Sequence, residues 1–377
     1  MSRPVERQPP AAPRRPDRRW VVVGWALLLV AAGLQRWAPA PIVERLYSRG
    51  LYPWIAALLS LVNEWAGFSL AEAGAIILPP ALLFALVWSA VRARRMGVRW
   101  GRWLAGTTGR GIAAAGWILF AFSLLWGLNY RRVPLSERLG IPNGGTAEEL
   151  AATARWLAGE LARHAPPTKH RDRPAGHPYP WEELAAKVED AYEALPVAGE
   201  GFPRRLGPAK PVRASGILSR LGLSGIFIPF TGEPNVNRLL PHPSLLAAVA
   251  HEKAHQRGIT HESEASFAGF LALYQSSDPY LRYCGLLEAT GSVLGALART
   301  DPEAFAEVAR AIPATARADW ARSREFWARY RGPAQRVSRR VNDLYLRVNR
   351  VPGGVQSYGA VVDLLVGYYL AKASQEP

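Results

Sequence analysis

Cysteine is almost missing from this chain: Cys284 stands alone among 377 residues. A single thiol excludes an internal disulfide and any cysteine-rich metal site, and on its own it reads as a small buried apolar residue. Methionine is nearly as scarce. Met1 and Met96 are the only two, and both precede every histidine. There are only seven histidines, yet His242, His251, His255 and His261 fall within twenty residues of one another. Acidic residues are few at the N-terminal end. Residues 1–130 carry 15 basic and 5 acidic side chains, against 31 and 25 in the remaining 247. The formal charge of +16 is therefore concentrated around apolar segments, as in a membrane protein. No nucleic-acid-binding motif accompanies it, so nucleic acid is not an expected partner.

Apolar sequence is what the first part has in plenty. Residues 1–19 are rich in Pro and Arg, lack apolar periodicity, and read as a disordered cytoplasmic tail. Residues 20–130 read as a membrane domain with spans at about 20–37, 73–91 and 111–130. Tryptophan and arginine flank the first span, as suits an interface. A cleaved signal peptide is its rival reading, with Ala38-Pro39-Ala40 as a poor cleavage site. Pro79-Pro80 predicts a kink in the second span. The apolar stretch 51–62 is too short to cross and reads as an interfacial helix. Six arginines and no acid occupy 92–110, and six more occupy the tail, whereas 39–72 is nearly balanced. The positive-inside rule places tail and Arg-rich loop in the cytoplasm. Three crossings then put residues 131–377 outside.

That outer region reads as one mostly helical domain. Apolar spacing predicts helices at 147–164, 181–195, 279–298, 302–312, 315–331, 334–349 and 355–370. A Pro/His-rich loop at 165–180 carries His170 and His177, with His164 at its edge; all three read as solvated. Gly225-Ile226-Phe227-Ile228 reads as a short strand ended by Pro229. As an edge strand these four residues can bind an extended peptide through backbone hydrogen bonds; as a structural strand they would cover the core.

The stretch Ser244 to Tyr274 carries the chemistry. Its centre, His251-Glu252-Lys253-Ala254-His255, matches HExxH. Positions i and i+4 share a helix face, so both imidazoles can grip one zinc ion. Glu252 is the candidate general base for water activation. Leu245, Leu246 and Val249 lead in with helical spacing, and Gly258 ends the helix one turn after His255. A solvated amphipathic helix with surface histidines has the same spacing; the clustering of scarce histidines argues against it.

Three residues can complete the ligand set. His261 completes HExxHxxGxxH, the metzincin pattern, but that pattern needs a downstream methionine that the chain lacks. Glu262 opens Glu262-Ser263-Glu264-Ala265-Ser266, which resembles the ExxxD element of gluzincins, with Ser266 in place of the acid. Glu264 is the remaining alternative. The expected order is Glu262, then Glu264, then His261.

Several pieces together resemble a known family. They are Trp126-Gly127-Leu128-Asn129-Tyr130 with Arg132 and Pro134, the Gly225 to Asn237 stretch, His251 to Gly258, and Glu262 to Ala265. Asn342-Asp343, Tyr345-Leu346 and Gly354 to Tyr358 complete the set. They are similar to the bacterial membrane family called domain of unknown function 3810, which is grouped by motif with gluzincin-like zinc peptidases. Its members commonly carry Asn where this chain has Ser266. The resemblance implies a membrane-anchored metallopeptidase-like fold and supplies no substrate.

The expected fold is thus mainly α (α+β): transmembrane helices, then a mostly helical zincin-like domain with a small edge-strand sheet. The expected function is a zinc-dependent peptidase-like hydrolase on the outer face of the cytoplasmic membrane, acting on a peptide or protein. The alternative is an inactive envelope scaffold on the same fold, which would have no need of Glu252. An intramembrane protease would need HExxH inside a span, and Glu252, Lys253, Arg257, Glu262 and Glu264 crowd this stretch too much for that. The residue that stabilises an oxyanion is not fixed by pattern; Arg282, Tyr283 and Tyr358 qualify by type alone.

Overall fold

The computed structural model describes residues 19–142, 144–166, 179–195, 205–349 and 360–375. The tail ahead of Arg19, most of the 165–180 loop with His170 and His177, and Tyr358 lie outside the described residues. The chain opens with helix α1 (Arg19–Trp37), a single turn α2 (Ala40–Ile42) and a π-helical stretch Val43–Leu51. Then come α3 (Tyr52–Trp65), α4 (Leu70–Arg95) and α5 (Trp100–Leu125). A 3-10 turn at Gly127–Arg131 leads to α6 (Leu135–Leu139), α7 (Ala147–His164) and α8 (Trp181–Glu193). A small sheet follows: β1 (Lys210–Val212), α9 (Ser215–Leu221), β2 (Gly225–Ile228) and β3 (Glu233–Asn237). The rest is helical: α10 (His242–Gln256), α11 (Glu262–Gln275), α12 (Pro279–Thr300), α13 (Pro302–Ala311), α14 (Ala314–Arg329), α15 (Pro333–Val348) and α16 (Val361–Ala373).

Local chemistry sets these boundaries. Thr146 and Glu149 form a capping box at the start of α7. Asp278 and Asp301 cap α12 and α13, each ahead of a proline in the first turn. The inward stripes of α7, α8, α10, α11, α12 and α16 merge into one core that includes Leu157, Leu246, Phe267, Leu286 and Leu365.

Helices α1, α4 and α5 are long and apolar enough to cross a membrane. Helix α4 runs through Pro79-Pro80 without interruption. The third predicted span needs correction at its end. Helix α5 stops at Leu125, and Trp126, Leu128, Asn129 and Tyr130 are buried in protein instead. A run without charge reads as lipid-facing, whereas the Trp126 indole donates to the His255 carbonyl and the Asn129 carbonyl accepts from Thr260. Helix α3 buries Tyr52, Ala56 and Ser60 on one side and exposes Trp54, Leu58, Leu61 and Trp65 on the other.

The sheet has strand order β1-β3-β2, with β1 parallel and β2 antiparallel to β3. Gly225 pairs with Val236 and Ile228 with Glu233. Among the described residues β2 therefore has one unpaired edge. The sheet is clamped to the second span. Glu233 accepts from the backbone N–H groups of Leu70 (2.9 Å) and Ala71 (2.8 Å), at the N-terminus of α4 where the helix dipole favours a carboxylate. Ser69 donates to Asn235 across the same junction. A second apolar cluster, with Tyr47, Tyr52, Trp126, Tyr130, Phe227 and Leu346 among its members, joins the N-terminal helices to the later part of the chain.

Candidate metal centre

Helix α10 puts His251 and His255 one turn apart on one face. Its other faces are held by Leu245, Leu246 and Val249, all fully buried. After His255 the chain must reverse. Gly258 does so at φ +72°, where a Cβ would come within 2.7 Å of the Tyr52 ring. Helix α11 then folds back along α10. Glu262 faces both histidines, Ser266 faces His251, and Gly269 lies against Ala250.

The result is a cluster of three metal-binding groups. His251 Nε2 lies 3.0 Å and His255 Nε2 3.6 Å from Glu262 Oε2. The three potential ligand atoms all fall within 4.8 Å of one another. The other ring nitrogens are spoken for: His255 Nδ1 meets the Ile259 carbonyl at 2.7 Å, and His251 Nδ1 meets Ser266 Oγ at 3.1 Å. When the rings are neutral and each Nδ1–H is donated outward, both Nε2 lone pairs point inward. Ser266 thus stands behind His251, on the side away from Glu262. Electrostatics favour a cation between these groups. Burial lowers the His255 pKa, but Glu262 outweighs it and pushes it up to about 9. Burial raises the Glu262 pKa, and the two imidazoles outweigh that and hold it far below the usual range. Two imidazoles and one carboxylate match the donor set of a three-ligand zinc site.

Glu252 stands beside the cluster. It is buried, and burial pushes its pKa up to about 7 against the lowering effect of His251 and His255. One carboxylate oxygen receives the Phe227 backbone N–H, while Oε2 has no hydrogen-bond partner among the described residues. A buried oxygen left unpaired is costly and so marks a place for a further group. Gly225 lets β2 come this close: a Cβ there would lie 2.6 Å from Glu252 Oε1. All four residues proposed for peptide binding, Gly225, Ile226, Phe227 and Ile228, therefore form the strand beside Glu252, with Ile226 exposed.

The other candidates fall elsewhere. Glu264 accepts from the Leu135 backbone N–H at 2.8 Å and so caps the first turn of α6. His261 sits at the N-cap of α11 with its ring against Tyr130. Tyr283 donates to Asp319 at 2.7 Å in the helical core, and Arg282 donates to the Ser276 carbonyl, so both serve that core. Tyr345 of α15 comes to the site instead. Its hydroxyl lies 3.3 Å from that of Tyr130, and the Glu262 charge helps burial raise its pKa to about 12.

Residues at the C-terminal end of α5 and the start of α3 hold α10 from behind. The Trp126 indole N–H donates to the His255 carbonyl at 2.9 Å, and the Tyr52 hydroxyl donates to the Gln256 carbonyl at 2.9 Å. Arg132 reaches the Gly258 carbonyl at 3.3 Å while pairing with Glu44. These groups satisfy the C-terminal carbonyls that any helix leaves open.

With three span-length helices among the described residues and a His/His/Glu cluster on paired helices, the chain is, by its architecture, a membrane protein with a candidate metal centre. It belongs to the family described as "Protein of unknown function (DUF3810)", whose model matches residues 47–366. No curated protein and no solved structure matches the chain.

Proposed function

We propose that this chain is a membrane-anchored, zinc-dependent peptidase-like hydrolase working on the outer face of the cytoplasmic membrane. The observation that carries the reading is the buried Glu252 carboxylate beside His251, His255 and Glu262, with its Oε2 lacking a hydrogen-bond partner among the described residues. His251, His255 and Glu262 are the residues that would hold the zinc ion. When bound, zinc would polarise a substrate carbonyl and make water more acidic. Glu252 is placed to take a proton from water and return it to a leaving amine. Its raised pKa suits both tasks near neutral pH. An extended peptide adding to the free edge of β2 would run past Glu252. Tyr345 is the group of the right chemistry to donate a hydrogen bond to a developing oxyanion. An inactive scaffold would have no use for a buried carboxylate oxygen without a partner.

The test is zinc content and turnover measured together. Purified full-length protein should carry about one zinc per chain. His251→Ala should lose it, and Glu252→Gln should keep it while losing cleavage of a peptide library. Zinc loss in Glu252→Gln with retention in His251→Ala would overturn the assignment. Reporter fusions after Met96 and at the C-terminus should report opposite sides of the membrane; the same side for both would overturn the topology.

A further inference from the structure

Helix α15 wears its apolar stripe on the outside. Val337, Val341, Leu344 and Val348 recur at i, i+4, i+7 and i+11 and are 59–71% exposed. An amphipathic helix on a globular domain turns such a stripe inward. Here the opposite side is the buried one. Leu346 is fully buried in the cluster that holds Trp126, Tyr130 and Phe227. Leu34 of α1 and Phe122 of α5 pack against that same cluster, so it lies where two of the span-length helices end. A helix is only about 10–12 Å across, which puts the exposed stripe within one helix diameter of those ends.

Two more features identify what covers the stripe. The flanks of α15 are basic: Arg336, Arg339, Arg340 and Arg347 stand against a single acid, Asp343. The same arrangement recurs on α3. Trp54, Leu58, Leu61 and Trp65 share the i, i+4, i+7, i+11 spacing and are 64–90% exposed, while Tyr52 and Ala56 bury the opposite side in the same cluster. A second copy of the chain is a poorer fit, because one four-residue stripe is small against the roughly 800 Å² per partner of a stable protein interface.

We propose that α15 is an interfacial helix. Its valine and leucine stripe rests in the acyl chains of the leaflet where α1 and α5 end, and its arginines meet anionic phosphate headgroups. Together with α3 it frames the junction at the bilayer surface, and it does so whether or not the metal centre is catalytic.

The experiment uses full-length protein in single-copy nanodiscs. Val341→Cys and Leu344→Cys are each labelled with a polarity-sensitive fluorophore; Arg324→Cys on α14, also exposed, is the control. Cys284 is buried and stays unlabelled. The lipid is phosphatidylcholine, with or without phosphatidylglycerol, carrying a nitroxide high on the acyl chain. Labels at 341 and 344 should be blue-shifted and quenched several-fold more than the label at 324, and more strongly with phosphatidylglycerol present. Zinc content of each labelled protein checks that it has folded. Quenching at 341 and 344 no greater than at 324 overturns the proposal. So does shielding that appears only when two copies share a disc. Equal quenching in both lipid mixtures overturns the role of the arginines.

Discussion

At the scale of single residues, three side chains in a short span compete for one role, and their partners separate them. Glu262 faces both imidazoles, Glu264 caps α6 through Leu135, and His261 stacks edgewise on Tyr130. Glu262→Ala should therefore strip zinc. Glu264→Ala should keep zinc and cost about 1 kcal/mol through the lost cap. His261→Ala should leave zinc binding close to wild type. Competition with a zinc-sensitive dye, run beside thermal unfolding, reads both effects. Zinc loss in His261→Ala with retention in Glu262→Ala would restore the metzincin reading despite the missing methionine. His251, Glu252, His255 and Glu262 can be read from the sequence because helix period and a short turn fix their spacing. Trp126 and Tyr345 could not be assigned this way. The indole of Trp126 reaches a carbonyl 129 positions away, and Tyr345 meets a hydroxyl 215 positions away. No local pattern encodes such a contact. Ser266 was visible in place of an acid, and its hydroxyl lies 3.1 Å from His251 Nδ1.

At the scale of elements, apolar spacing located most of the helices, and β2 falls on the four residues where a strand was expected. β1 and β3 escaped because they are short and polar. Glu233, Asn235 and Asn237 are buried, yet hydrogen bonds hold them rather than an alternating apolar face. Helix α10 hides charge in the same way. Lys253 of α10 and Arg257 just after it are buried, 2.7 Å and 2.6 Å from the two oxygens of Glu189 on α8. Burial would raise the Glu189 pKa, but these two cations outweigh it and hold it at about 2. Glu44, held by Arg132 at the membrane junction, is likewise lowered to about 2. Both folded values lie below the unfolded value, so the stability they supply is complete above about pH 4.5 and is lost as pH falls toward 2. The melting temperature should fall steeply across that window. Glu189→Gln should cost about 3–5 kcal/mol at neutral pH, because it leaves buried cations short of a partner. It should also flatten the acid limb, with Glu44 supplying what remains. An unchanged acid limb in Glu189→Gln would show that the buried pairing is not what acid breaks.

At the scale of the whole molecule, α10, which carries His251 and His255, is finished by groups from the half of the chain that holds the span-length helices. A helix end buried without partners for its last carbonyls is unstable. Here Trp126, just after α5, and Tyr52, at the start of α3, donate to consecutive carbonyls, His255 and Gln256. His255 is also a candidate ligand, and its ring stands edge-on to the Trp126 indole. Displacing Trp126 should therefore shift an imidazole as well as a backbone. Trp126→Phe keeps an aromatic ring and removes the N–H; Tyr52→Phe keeps the ring and removes the hydroxyl. Each should cost about 0.5–1.5 kcal/mol, the net worth of one hydrogen bond. The two should differ in zinc affinity. Trp126→Phe should weaken it several-fold, whereas Tyr52→Phe, acting one residue further from the ligand, should lower stability and leave affinity nearly intact. Unfolding curves and zinc titrations of the two full-length variants in nanodiscs separate these effects. Equal zinc affinity in Trp126→Phe and wild type would mean that the N-terminal half supports the rest of the chain without setting the geometry of the candidate centre.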